Sequence, residues 1–226
     1  MTARPDIIQR IAGEVKEALS ENPDLQILIG HGSGSFGHAI ADVYQTQEGG
    51  WDQTYWQGFS EVWRAARQLN QIVVQSFHQE GLRLVAFPPS AGVIADGKEF
   101  SSWDTRPIAF ALSQGLVPLV QGDVVFDKNI GGTIFSTEKC FEYLSRILSP
   151  SGILLAGLDK GVYKDILEQN QIYKLITPRN FEEIRSNLFG SGAVDVTGGM
   201  IAKVKLMLAL VQDLSLIHIS EPTRPY

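Results

Sequence analysis

The sequence contains a single cysteine, Cys140, and no long run of apolar residues. One thiol cannot form an intrachain disulfide, and so few cysteines are typical of a reducing compartment. No apolar segment approaches the roughly 20 residues that span a bilayer, and the first five residues lack the apolar core of a signal peptide. These absences predict a cytoplasmic protein with no membrane partner.

A surplus of positive charge is also missing. The 226 residues include 19 Lys and Arg against 25 Asp and Glu, which gives a formal net charge of −6. Proteins that bind nucleic acid need a basic surface, so no nucleic-acid partner is predicted. A local basic pocket for a small anion is compatible with this balance. The 44% of apolar residues is typical of a globular protein that buries a core.

Apolar periodicity predicts helices and strands in alternation. Helices are predicted over 5–21, 56–79, 105–114 and 137–148 and from about 197, and strands over 25–29, 83–87, 116–120 and 153–156. A hairpin is predicted for 122–127 with 132–135, and a surface loop for 44–54. Strands that alternate with helices favour an α/β fold with a mostly parallel sheet that is covered on both faces.

The densest glycine stretch, residues 30–38, directly follows the first predicted strand. Gly32, Gly34 and Gly37 match the spacing of the dinucleotide fingerprint, but that fingerprint also needs an acidic residue after a second strand about 20 residues further on. Here that region is the polar loop 44–54, and the P-loop pattern is absent from the chain. Glycines between a strand and a helix still predict an anion site, because successive backbone N–H groups there face the ligand.

Two histidines flank this glycine loop. His31, at the end of the strand, is expected to have a structural role. His38 lies one helical turn beyond the loop, where its imidazole can donate a hydrogen bond to a bound phosphate. A metal pair is not predicted, because the seven-residue spacing is long and no third ligand is evident.

The run from His31 to His38, HGSGSFGH, resembles the HGGGSFGH signature of the isopentenyl phosphate kinases of the amino acid kinase superfamily. Four further segments follow in the family's order: Gly58-Phe59, Pro88-Pro89-Ser90, GDVVFD at 122–127 and VDVTGGM at 194–200. The resemblance covers nearly all of residues 3–213. It implies a three-layer α/β/α sandwich with a mostly parallel central sheet, a homodimer, and ATP-dependent phosphorylation of isopentenyl phosphate to isopentenyl diphosphate, with Mg²⁺ bridging the ATP phosphates.

The resemblance also implies a division into lobes. Residues 1–149 would form an N-terminal lobe that binds the acceptor phosphate, and 150–213 part of a nucleotide-binding lobe. Residues 214–226, LSLIHISEPTRPY, resemble a translated sequencing adapter. The KxGGS loop with which family members begin has no counterpart before Asp6. We therefore expect a sequence truncated at both ends, without the family's first strand.

Site residues follow from the resemblance, position by position. His38 would donate a hydrogen bond to the acceptor phosphate, which would also contact Gly32, Ser33 and Thr137. The ATP side would be formed by Gly34, Glu138, Leu158, Asp159, Gly199 and Lys203. Of these, His38 and Lys203 would be the catalytic pair, since Lys203 lies one turn beyond a Thr-Gly-Gly helix start and can reach the β- and γ-phosphates as a point charge. The apolar tail of the acceptor would contact Phe59, Val62, Trp63 and the segment 87–93.

Two departures from the family pattern leave alternatives open. Leu158 occupies a slot where an aspartate usually contacts the nucleotide, and Ser136-Thr137-Glu138-Lys139 replaces the usual SGDD. The first alternative is a kinase of the same fold that acts on another small phosphate or phosphonate, such as fosfomycin. The second is a phosphate- or nucleotide-binding module without catalysis.

Overall fold

The N-terminal helix forms where the apolar spacing predicts it. In the computed structural model, which describes residues 3–156, 161–164, 171–190, 204–210 and 217–219, helix α1 spans Pro5–Glu21. Pro5 starts the helix, where its missing N–H removes no intrahelical hydrogen bond. Ala12 is completely buried on the inner face, so α1 is held by packing along one side.

By contact density the chain divides into two compact units, Met1–Tyr143 and Leu144–Tyr226. After α1, the helices are α2 (Gly34–Tyr44), α3 (Gln53–Gln79), α4 (Arg106–Ser113) and α5 (Thr137–Leu148). The strands of the first unit are β1 (Ile29–His31), β2 (Leu84–Ala86), β3 (Val93–Asp96), β4 (Glu99–Trp103), β5 (Val117–Gln121), β6 (Asp123–Asp127) and β7 (Gly131–Phe135).

A parallel three-stranded sheet forms the centre of the first unit, in the order β1-β5-β2. Its register pairs Gly30 with Val120 and Leu84 with Val117. The core beside it consists of Ala12, Val73, Phe77, Leu82, Leu84, Val117 and Leu119. The first strand lies at Ile29–His31 and not at the predicted 25–29, because its pairing with β5 extends to His31 and Gln121. The strand therefore ends at the glycine loop itself.

A second sheet of four strands has the order β4-β3-β6-β7. The predicted hairpin is confirmed as β6 and β7, which run antiparallel with Val124 opposite Ile134. The hairpin of β3 and β4 was not predicted. Its two-residue turn, Gly97-Lys98, has φ of 61° and 67°, the twist that a tight hairpin requires.

Asp127 joins the turns of these two hairpins. Its carboxylate accepts hydrogen bonds from the backbone N–H groups of Lys98 at 2.7 Å, Asn129 at 2.8 Å, Gly97 at 3.0 Å and Ile130 at 3.2 Å. Burial opposes ionisation of this carboxyl, but the four donors outweigh that cost and lower the pKa of Asp127. The last residue of the GDVVFD segment is thus a structural group.

In the second unit, β8 (Gly152–Leu154) pairs in parallel with β9 (Ile217–Ile219). Helix α6 spans Phe181–Gly190, and residues 204–210 are helical, within the helix predicted from about 197. One apolar cluster is centred on Phe181 and Ile184. A second is centred on Ile153, Met207 and Leu210.

The predicted helices agree closely with those of the structure. Helix α5 has the predicted bounds, whereas α3 begins three residues before the predicted 56 because the carboxylate of Asp52 caps it, accepting from the Tyr55 N–H at 2.9 Å. The sequence patterns missed α6. Within the described residues, no helix combines the length and the apolar character that crossing a membrane would require.

Candidate active site at the carboxyl end of the first strand

Three segments of the first unit meet where β1 ends. The carbonyl oxygen of His31 accepts a hydrogen bond from the Gly122 N–H at 3.1 Å and another from the Thr137 hydroxyl at 2.6 Å. Gly122 directly follows β5, and Thr137 is the first residue of α5. The glycine loop, the end of β5 and the start of α5 therefore share one edge of the parallel sheet, which is where open α/β sheets bind ligands.

The glycine loop has the backbone geometry of an anion site. The backbone of Ser33 has a right-handed helical conformation, with φ −74° and ψ −13°, and that of Gly34 a left-handed one, with φ 51°. Successive residues of opposite hand turn their N–H groups into one concavity, called a nest. Helix α2 begins at Gly34, so the positive end of its dipole adds to the field there. The predicted residues Ser33 and Gly34 thus form a site whose backbone N–H groups can bind a small anion.

Close packing holds the start of α5 against β1. A Cβ built on Gly30 would lie 2.6 Å from Cγ2 of Thr137 and closer still to the Phe141 ring. One built on Gly122 would lie 3.3 Å from the Thr137 hydroxyl oxygen. Glycine is therefore required at position 30 for β1 and the start of α5 to approach this closely, whereas a side chain at position 122 would displace Thr137 by a few tenths of an ångström. Thr137 is held in place by its hydrogen bond to His31.

A hydroxyl cap and an acidic side chain define the first turn of α5. Ser136 accepts a hydrogen bond at its Oγ from the Lys139 N–H at 3.1 Å, which is the geometry of an N-cap. Because the Thr137 hydroxyl donates its hydrogen to His31, Thr137 can offer an anion only its backbone N–H as a donor. Glu138, predicted for the ATP side, lies partly buried in this first turn, where its charge favours the helix dipole.

His38 lies on the second turn of α2 with an exposed side chain. It is four residues beyond Gly34, so both lie on the same face of the helix. None of the described residues hydrogen-bonds its imidazole. The side chain is thus accessible to a ligand that occupies the nest.

His31 has the opposite environment. Its Nδ1 lies 3.0 Å from the carbonyl oxygen of Gly32, and its Nε2 lies 3.2 Å from Nδ2 of the buried Asn70. Burial lowers the pKa of His31, and the hydrogen bond with Gly32 only partly offsets that effect. The expectation of a structural role agrees with this geometry.

A buried carboxylate that the sequence patterns did not single out lies next to Gly122. Asp123 is 1% exposed and accepts from the hydroxyl of Ser90 at 2.6 Å, from the Ser90 N–H at 3.2 Å and from the Val124 N–H at 2.9 Å. The indole N–H of Trp63 lies 3.2 Å from the same hydroxyl. Burial raises the pKa of Asp123, against these hydrogen bonds and the positive charge of Arg67. Asp123 thereby ties the predicted tail-binding segments, α3 and 87–93, to the end of β5.

The structure brings six of the predicted residues to this region of the first unit: Gly32, Ser33, Gly34, His38, Thr137 and Glu138. Four others, Leu158, Asp159, Gly199 and Lys203, lie outside the described residues. The acceptor side of the predicted site is thus described and most of its nucleotide side is not. Across the described ranges, no group of three or more His, Cys, Asp or Glu side chains is arranged to hold a metal ion.

Comparison with known proteins extends these observations to most of the chain. The model of the amino acid kinase family matches residues 1–219. The isopentenyl phosphate kinase of Methanocaldococcus jannaschii is 34% identical over 208 residues, which cover 89% of this chain and 78% of that protein. The isopentenyl phosphate kinase of Methanothermobacter thermautotrophicus is 29% identical over 215 residues, covering 92% and 79%.

A solved structure is similar as well. It is a crystal structure of an isopentenyl phosphate kinase, with a TM-score of 0.75 and 25% sequence identity. The match covers 96% of this chain and 82% of that one. The comparison of backbones and the comparison of sequences therefore both find similarity to isopentenyl phosphate kinases.

Proposed function

The chain belongs to the amino acid kinase family and, within it, to the isopentenyl phosphate kinases, and from that membership we propose that it transfers the γ-phosphoryl group of ATP to isopentenyl phosphate. The products are isopentenyl diphosphate and ADP. The observation that carries the proposal is the nest of Ser33 and Gly34 with His38 exposed on the same helix face. This arrangement offers several donors to one small anion.

Phosphoryl transfer requires mainly positioning and charge neutralisation. The acceptor oxygen of a phosphate monoester is already anionic near neutral pH, so no strong general base is needed. The obstacle is the repulsion between two phosphate groups that must approach to bonding distance. Backbone N–H groups of the nest and the His38 imidazole offset this repulsion as fixed donors.

The roles of the individual residues are part of the proposal. On the acceptor side, Gly32, Ser33 and Thr137 contact the phosphate through the backbone and His38 through its ring. On the ATP side we propose Gly34, Glu138, Leu158, Asp159, Gly199 and Lys203. Lys203 and His38 are the residues proposed to stabilise the transferring phosphoryl group.

ATP is the co-substrate, as membership of a kinase family implies. We propose that Mg²⁺ enters as the complex with ATP, because Mg²⁺ binds phosphate oxygens and water and needs few protein ligands. The division into an acceptor lobe (1–149) and a nucleotide lobe (150–213) and the homodimer are likewise proposals from the family resemblance. That residues 214–226 are an artefact is a proposal from their resemblance to a translated sequencing adapter, and the cytoplasmic location is a proposal from the single cysteine.

The test is ATP-dependent ADP release from the full chain with isopentenyl phosphate as acceptor, and the product is identified by ³¹P NMR. Fosfomycin and another alkyl monophosphate are offered in parallel. We expect the highest kcat/KM with isopentenyl phosphate. A preference for fosfomycin would replace the acceptor in this proposal, and binding of isopentenyl phosphate without turnover on any acceptor would favour a non-catalytic module.

A further inference from the structure

The two ring nitrogens of His31 have different partners, and these partners determine where its hydrogen lies. Nδ1 faces the carbonyl oxygen of Gly32 at 3.0 Å. A carbonyl oxygen only accepts, so Nδ1 carries the hydrogen and donates it. Nε2 is then a lone-pair acceptor for the amide N–H of Asn70 at 3.2 Å. The contacts select the neutral imidazole with hydrogen on Nδ1.

The opposite orientation of the Asn70 amide would require a different charge. With its oxygen toward the ring, Nε2 would also have to carry a hydrogen, and His31 would be an imidazolium. Asn70 is 3% exposed, and burial of the ring disfavours the charged form. The amide N–H of Asn70 therefore faces the ring.

The bond from His31 to Gly32 also determines the direction of the next N–H. In a planar trans peptide, the carbonyl oxygen of one residue and the N–H of the following residue point in opposite directions. Because the Gly32 oxygen faces the imidazole, the Ser33 N–H points away from it, as part of the nest. If this peptide turned over, a partial negative charge would replace a donor at the anion site.

We propose that His31 is a positioning residue for phosphoryl transfer: its ring, kept in the Nδ1–H form by Asn70, holds the Gly32–Ser33 peptide with its N–H directed to the acceptor phosphate. This inference rests on the proposed function and adds to it two residues, His31 and Asn70, that act through the backbone. Neither residue touches the substrate.

The main chain at His31 is held independently of the ring. Its carbonyl oxygen is bonded to the Gly122 N–H and the Thr137 hydroxyl, and its strand is paired with β5. Replacing the ring therefore leaves β1 anchored and releases only the peptide that follows. Substitution at position 31 consequently tests orientation of the peptide more than folding of the strand.

The first experiment compares His31→Leu with His31→Asn in steady-state kinetics on the full chain. In His31→Asn, the side-chain N–H takes the place of Nδ1 and can still donate to Gly32. We expect His31→Leu to raise the KM for isopentenyl phosphate about tenfold, as for loss of one hydrogen bond to a charged group. His31→Asn should stay within about threefold of the unmodified chain, and the KM for ATP should be unchanged in both.

The second experiment removes the partner of the ring. In Asn70→Leu, Nε2 loses its donor, so only the Gly32 oxygen still favours the Nδ1–H form and part of the population can carry the hydrogen on Nε2 instead. We expect a rise in the KM for isopentenyl phosphate that is smaller than in His31→Leu. Gln71→Leu makes the same kind of change at the next residue of α3, where the side chain is exposed, and should leave all constants unchanged.

The tautomer is read directly by two-bond ¹⁵N–¹H NMR of the four histidines, with the His31 signals assigned by their loss in His31→Asn. We expect hydrogen on Nδ1 in the unmodified chain and a shift toward Nε2 in Asn70→Leu. Hydrogen on Nε2 in the unmodified chain would overturn the inference. Equal KM values for His31→Leu and the unmodified chain would also overturn it, as would equal losses in His31→Leu and His31→Asn.

Failure of the proposed function gives a different result. In that case the unmodified chain does not phosphorylate isopentenyl phosphate at all, whatever the tautomer of His31. If Asn70→Leu fails to fold, by circular dichroism, the comparison of His31→Leu with His31→Asn still decides the inference.

Discussion

The backbone of Gly34 is left-handed, with φ 51°, and a Cβ built there would meet no atom of the described residues within 4 Å. The glycine is therefore required by its φ and not by crowding from the protein. An alanine at this position would resist the left-handed φ that, together with Ser33, forms the nest. The substitution would therefore affect both stability and anion binding.

For Gly34→Ala we predict a loss of about 1–2 kcal/mol in the free energy of unfolding, the cost of a left-handed alanine, and a raised KM for isopentenyl phosphate. Gly81→Ala is the matched control, because Gly81 has φ 82° and a Cβ there would likewise meet none of the atoms that the structure describes within 4 Å. It should lose similar stability, measured by urea unfolding, with no change in KM. A normal KM in Gly34→Ala would contradict the role of the nest.

His38→Ala tests the donor proposed for the acceptor phosphate. We predict that kcat falls about 10²–10³-fold, the usual effect of removing one fixed donor. The free energy of unfolding should change by less than about 0.5 kcal/mol, because the side chain is exposed. Asp42→Ala, also exposed and four residues along the same helix, serves as the control. Turnover in His38→Ala equal to that of the unmodified chain would rule out the proposed role.

At the scale of elements, Asp127 holds the turns of two hairpins together. In Asp127→Asn, one acceptor oxygen becomes an amide and the charge is lost. We predict a loss of about 2 kcal/mol in the free energy of unfolding near pH 7, as expected for hydrogen bonds to a charged group.

The effect of pH on this variant follows from the lowered pKa of Asp127. The unfolded chain, with an ordinary Asp pKa of about 3.9, takes up its proton first as the pH falls. The stabilisation by the carboxylate is therefore complete above that value and is lost as the pH drops through the lower, folded pKa. Urea unfolding at pH 7, 4 and 3 should show the difference between Asp127→Asn and the unmodified chain shrinking; a constant difference would refute this account.

The contact between β1 and α5 gives a prediction of its own. Gly30→Ala would place a methyl group against Phe141 and Thr137, and we expect a loss of about 1–3 kcal/mol from overpacking. Gly13→Ala lies within α1, where a Cβ would meet nothing within 4 Å in the described part of the chain. It should instead stabilise the folded chain by about 0.5–1 kcal/mol. Opposite signs in thermal unfolding would support this account; a stabilised Gly30→Ala would refute it.

The accuracy of the sequence predictions varied with the kind of element. Helices such as α1 and α5 were predicted to within a residue, because their apolar spacing is local information. The hairpin β3–β4 was missed, since its turn has a lysine at a left-handed position and its second strand, EFSSW, carries no apolar alternation. The strand β4 is therefore stabilised by its pairing with β3 and not by a pattern that its own residues show.

For the molecule as a whole, ligand binding should raise thermal stability. At 100 times its Kd, isopentenyl phosphate adds about 2.7 kcal/mol to the free energy of unfolding, which corresponds to a Tm increase of about 5–10 °C for a chain of this size. We predict that the increase is much smaller in His38→Ala. If Tm rises with fosfomycin and not with isopentenyl phosphate, then isopentenyl phosphate is the wrong acceptor.

The predicted family and fold are both confirmed. The amino acid kinase model matches residues 1–219, and the similar crystal structure has a TM-score of 0.75. The mostly parallel strands agree with the predicted α/β sandwich. The site residues stay a prediction, with the acceptor side described and Leu158, Asp159, Gly199 and Lys203 outside the described residues.

Most of the helices, the glycine loop and the family could be predicted from the sequence, because each depends on residues that are close in the chain or form a contiguous signature. The groups that hold that loop became visible only in the folded chain. His31 meets Asn70 across 39 residues and Thr137 across 106, and Asp123 meets Ser90 across 33. No local pattern encodes such pairs, since they come together only when β1, β5 and the helices pack. Asn70 and Asp123 carry no recognisable signal in the sequence, and burial beside their partners gives them their roles.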